Sequence, residues 1–182
     1  MRQFGSSGFR LWNLGVEAKL LYTAFCLLTL AGIVSSAVFY ADLVGAGTGG
    51  IKRYYAGEAA PAAPEAPAGG PAIDLPAGEA QAHAPLVVAI SYRKLLEVTH
   101  FHLFTMPVVL LIVGHLFLAT GAGDGLKRGF IAGGAASVAL HLGTPWLVRA
   151  FPSLALLHAL SGLALTFTMT VLTGAPVVSM WR

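Results

Sequence analysis

The sequence predicts an all-α integral membrane protein, a four-helix bundle with a long Ala/Pro/Gly-rich extramembrane loop. Three observations predict it. Mean hydropathy is +0.74, with 56% hydrophobic and only 10% charged residues, well outside the usage of soluble domains. Four apolar runs each approach the roughly 20 residues that an α-helix needs to cross the hydrocarbon core. Between the first and second of them lies a stretch with neither apolar periodicity nor bulk, which marks it as extramembrane.

Residues 1–19 form an N-terminal interfacial segment, in which Arg10-Leu11-Trp12 mixes basic, apolar and aromatic character and Trp12 serves as a headgroup anchor. The first span covers 20–43 and is too long for the apolar part of a cleaved signal peptide, so it is read as a retained helix. Residues 44–95 form the linker, with Ala59-Ala60-Pro61-Ala62-Ala63-Pro64 as its most extended part and His83 as an ordinary solvated residue. Just ahead of the second span, Pro85 to Ile90 suits an extra amphipathic turn.

The second span covers 96–119, and Pro107 is expected to kink it because the ring removes one backbone hydrogen bond. Alternating glycines at Gly121, Gly123 and Gly125, followed by Lys127 and Arg128, make a turn. The third span, 129–148, carries the small residues Ala132 to Ser137, which let a neighbouring helix approach closely. Pro152 opens the fourth span, 153–173, and 174–182 is the C-terminal tail. Short connections make spans two, three and four antiparallel neighbours, and four crossings bring both termini to one side. That side is taken as the cytoplasm of a bacterial inner membrane, which places Arg2, Arg10, Lys19, Lys127, Arg128 and Arg182 inside.

The positive charge is spread singly or in pairs beside apolar runs, a pattern for anchoring helix ends and not for nucleic acid. One cysteine, Cys26, excludes an intrachain disulfide and a cysteine-held cluster. A phosphate-binding glycine loop, a nucleophile elbow and a pair of intramembrane carboxylates are all missing from the sequence, so hydrolytic, transferase and proton-coupled transport chemistry find no support, and whether the chain is an enzyme stays open.

The histidines carry the functional signal. Of the six, His100, His102, His115, His141 and His158 fall inside the spans, where an ionisable side chain is costly. His100 and His115 are separated by about 22 Å of helical rise and about 60° of rotation, so both can face one neighbour. His100, His102, His141 and His158 share the outer half of the membrane, the half next to the linker. Imidazoles from two helices at one depth can grip a haem iron from both sides, and His100 with His158 is the preferred pair. Met169 lies at the depth of His115, about 20° around the helix from His158, and completes a second candidate site of His/Met type. Glu97 can accept a proton from His100 or pair with Arg93, the latter being ordinary surface chemistry. Taken singly, each histidine is better explained by a hydrogen bond to a neighbouring hydroxyl, for which Thr99, Thr105, Thr144 and Ser161 are available, or to a backbone carbonyl, and it is the shared depth of four of them that points to a cofactor or metal. A copper or zinc site ranks lower, because His100 and His102 diverge by about 200° and cannot share an ion on an intact helix.

His100 and His115 on one helix, with His158 on another, resemble the layout of the small four-helix membrane cytochromes b, which pass electrons between quinones and redox partners. The resemblance covers the four spans and excludes the linker. It implies haem b as cofactor, with quinone as a further ligand, and other membrane or redox subunits as partners beside the lipid bilayer. A di-haem member has two histidines on each of two helices, whereas the third and fourth spans here carry one each, so one haem is expected instead of two. The contrasting expectation is a non-catalytic accessory or anchoring subunit in which the histidines only pack.

Overall fold

The structure, a computed structural model, describes residues 10–45, 47–57 and 88–182. The alanine/proline run, His83 and the first nine residues lie outside the described residues. Four long helices form because long apolar runs in lipid must satisfy every backbone polar group within themselves. They are α1 (Val16–Val44), α3 (Tyr92–Leu118), α4 (Asp124–Ala150) and α5 (Ala155–Met180), all long and apolar enough to cross a membrane. A short helix, α2 (Gly47–Ala56), follows α1 directly.

That short helix corrects the reading of 44–95 as linker throughout. Its apolar residues, Ile51 and Tyr55, lie four apart on one face and are buried, while Lys52 on the other side is exposed. Two side chains at helical spacing were too weak a signal among glycines. Gly45 and Gly57, at φ +80° and +83°, flank α2 and supply the left-handed backbone that folds it down onto the bundle. Residues 88–90 are not helical, so α3 begins at Tyr92 with Ser91 as its cap, accepting a hydrogen bond from the Lys94 amide. Pro107 and Pro145 sit inside continuous helices, and Pro152 opens a single 3-10 turn before α5.

α5 packs against every other helix, and α3, α4 and α5 form an antiparallel group. Close approach of α4 depends on its small residues, as expected: Gly134 is buried between Leu110 and Leu172, and Ser137 meets Thr168 at 3.1 Å. The bundle has two distinct ends. At the termini end, Leu11 is fully buried with Cys26, Leu116 and Met180, its amide donates to Ala119, and Arg10 donates to the Thr120 carbonyl. The Arg10 guanidinium lies 5.4 Å from the Trp12 ring, which rests on Gly121, and Trp181 donates to Thr23. At the loop end, α2 caps a cluster of Val44, Leu95, Val148 and Ala155.

The N-terminal segment is thus more than a headgroup anchor, since it plugs the termini end with a buried leucine. Leu11→Ala is expected to lower stability by about 2–5 kcal/mol, the range for emptying a buried leucine site. Thermal unfolding in detergent, followed by circular dichroism, measures it. An unmoved midpoint would show that the segment merely rests on the surface.

Candidate functional site

Two histidines expected from sequence meet at the loop end. His141 comes from the second half of α4 and His158 from the first turn of α5, where the short connection turns the chain back and sets both at one depth. Their rings stack, with centroids 4.7 Å apart and planes 14° from parallel. Gly162 lets His141 approach α5, since a Cβ there would stand 3.1 Å from His141 Cε1.

Hydroxyl groups tie the pair together. His158 Nδ1 lies 2.8 Å from Thr144 Oγ1, His141 Nδ1 lies 3.2 Å from Ser161 Oγ, and the two hydroxyl oxygens are 3.2 Å apart. Ser161 donates to the His158 carbonyl at 2.8 Å, so His141 is the donor toward Ser161. Thr144 then has one proton and three possible acceptors: His158 Nδ1, Ser161 Oγ, and the His141 carbonyl at 3.3 Å. One nitrogen is left over. His158 is 1% exposed, and its Nε2 has no hydrogen-bond partner among the described residues.

Aromatic rings close the site. Tyr55 of α2 meets the His158 ring edge to face at 5.1 Å, and Tyr40 of α1 lies 6.0 Å away. Burial, reinforced by the neighbouring phenols of Tyr40 and Tyr54, pushes the Tyr55 hydroxyl above its ordinary range, so it stays neutral. Sequence reasoning missed Tyr55, whose helix was read as linker. The Ile51/Tyr55 spacing was the available signal.

The other expected site residues stand apart. His100 is exposed on α3, its ring against Phe101 and Phe104 at 5.9 and 5.1 Å, and among the described residues no hydrogen bond or ring contact joins it to His158. His102 and His115 are exposed as well, each donating from Nδ1 to its own helix, at Val98 and Leu111. Met169 is buried among Val113, Phe117 and Leu172. His115 lies about 200° around α3 from Val113, so the two residues of the expected His/Met site occupy different faces. Glu97 pairs with Lys94 at 3.3 Å and not with His100 or Arg93.

A helical membrane protein with a hydroxyl-tied histidine pair, one member fully buried, beneath a short amphipathic helix is the class that this geometry defines. Residues 45–182 match a family described as a transmembrane helical domain, Aq_1264_TM, and the chain belongs to that family. The matched region holds α2 to α5 and therefore the histidine pair, while Tyr40 on α1 lies before it. No curated protein and no solved structure matches the chain.

Proposed function

We propose that the protein is a membrane electron-transfer protein that exchanges electrons between the quinone pool and a redox partner, with its redox group held at the loop-end histidine pair. The observation that carries this is His158 Nε2, a strong hydrogen-bonding and metal-ligating atom that is buried and unpartnered, while Thr144 fixes the opposite ring nitrogen. The large majority of buried side-chain polar atoms have a partner, so an unpartnered ring nitrogen calls for an explanation. The setting is a bacterial inner membrane with cytoplasmic termini, which puts the site in the outer half.

Haem b is the group the cytochrome b-like layout calls for, and the residues fit it in part. His158 has the chemistry of an axial ligand. His141 would not join it in holding the group, because its ring stacks beside that of His158 instead of facing it. With His100 on the exposed surface of α3, His158 is the one fully buried histidine among the described residues. What the chain supplies is orientation and exclusion of water: Thr144 sets the His158 ring, and Tyr40, Tyr55 and the α2 cap keep the nitrogen in a low-dielectric surrounding.

A second reading, an accessory or anchoring subunit, is favoured by α3, where His100, His102 and His115 all lie exposed beside Phe101 and Phe104. Imidazoles facing lipid are costly, and a partner subunit would cover them. A reduced-minus-oxidised spectrum of the purified protein, with a pyridine haemochrome assay per chain, separates the readings. A b-type signal near one haem per chain that disappears in His158→Ala is expected if haem is the group. Colourless protein that binds no quinone would leave the accessory reading.

A further inference from the structure

We propose that the loop-end cluster binds the single-ring headgroup of a quinone in the place now filled by the Tyr55 ring, with His158 Nε2 as the atom that bonds its oxygen. This rests on the reading that the cluster holds a redox ligand, and it names that ligand. A quinone site must serve two opposite partners: the oxidised ring presents a carbonyl that accepts, and the reduced ring a hydroxyl that donates. The network around His158 can meet both, because the Thr144 hydroxyl can pair with either tautomer of the ring.

When Thr144 donates to Nδ1, Nε2 carries the hydrogen and donates to a carbonyl. When Thr144 turns its proton to Ser161 or to the His141 carbonyl, Nδ1 carries the hydrogen and donates to Thr144, and bare Nε2 accepts from a hydroxyl. In both arrangements the Ser161 and His141 protons stay where they are, Ser161 donating to the His158 carbonyl and His141 to Ser161. A histidine tied to a fixed acceptor such as a backbone carbonyl would present only the bare nitrogen.

Shape agrees with this chemistry. Tyr55 holds one six-membered ring edge-on to His158, and it belongs to α2, the one capping element that crosses no membrane. Its two flanking glycines allow α2 to lift while the four spans stay in place. The room then opened is about one aromatic ring in size, bordered by Leu95, Val148 and Ala155, which suits a ring whose tail continues into lipid. A cavity of about 260 Å³ already lies at the junction of α1 and α2, beside Asp42, Gly50, Arg53 and Tyr54.

The test is equilibrium dialysis of the full chain in nanodiscs against decylubiquinone and its reduced form, with haem assayed on the same samples. Saturable binding of both forms near one per chain is expected, with affinities within about threefold of each other. Tyr55→Ala, which vacates the ring's place, should tighten binding about threefold or more, and His158→Ala should weaken it about tenfold or more. Thr144→Val should separate the two affinities by more than about threefold, since valine cannot turn a proton. The proposal is overturned by absence of saturable binding, by a Tyr55→Ala variant that binds no tighter, or by a haem bound through His158, whose iron would occupy the same nitrogen. Haem without quinone binding sinks the proposal and keeps the electron-transfer reading, whereas neither ligand sinks both.

Discussion

His158→Leu is expected to abolish redox-ligand binding while leaving the thermal midpoint unchanged or raised. These two effects have opposite sources. A buried polar atom without a partner costs about 1–3 kcal/mol, and His158 Nε2 is such an atom. Leucine removes that cost and keeps much of the side-chain volume packed against Tyr40, Tyr55 and His141. Thr144 loses its shortest contact but retains the His141 carbonyl and Ser161 as acceptors, so the substitution leaves no new orphan there. Differential scanning fluorimetry, run beside the ligand titrations, reads both quantities from one preparation. A midpoint lower by several degrees, with ligand binding intact, would make the imidazole a packing residue and remove the site from the functional account.

The four spans were legible because hydropathy over about 20 residues is a strong signal, and because glycine, proline and basic residues punctuate it. The meeting of His141 with His158 was half legible. Equal depth followed from counting residues through the turn near Pro152, but the preferred partner for His158 was His100 on the neighbouring α3 and not His141. Depth is one coordinate; rotation about the helix axis is the other, and it depends on which face each helix buries. For α3 that face is set by Leu95, Val113, Leu116 and Phe117, which turns His100 and His115 outward. In a helix apolar all round, such as α3, no amphipathic stripe announces the buried side. The same lack of contrast hid the separation of Met169 from His115. α2 escaped for a different reason: ten residues with three glycines carry little helix propensity, and its stability comes from docking Ile51 and Tyr55 onto the bundle.

A clear loss of stability is expected from Gly134→Leu. A Cβ at Gly134 would stand 3.1 Å from Leu110 Cδ1 and 3.2 Å from Leu172 Cδ1, so the glycine is a point of close approach among α3, α4 and α5. A Cβ alone asks the two leucines to give by a few tenths of an ångström. The rest of a leucine side chain has no room and must push α4 away from α3 and α5, at a cost of about 1–3 kcal/mol or more. In lipid the loss is sharpened, because helix association there rests on close packing and interhelical hydrogen bonds and not on expulsion of water. Parting α4 from α5 also stretches the Ser137 contact with Thr168, which lies one turn along the same interface. Gly143→Leu supplies the control: it lies on the same helix, has nothing within 4 Å of its Cβ position, and should leave the midpoint within a degree or two, about the scatter of surface substitutions. Equal midpoints for the two variants would show that the three helices are not held by contact at Gly134. A fall confined to Gly134→Leu, accompanied by loss of ligand binding about two turns away at His141 and His158, would tie the close helix contact directly to the integrity of the site.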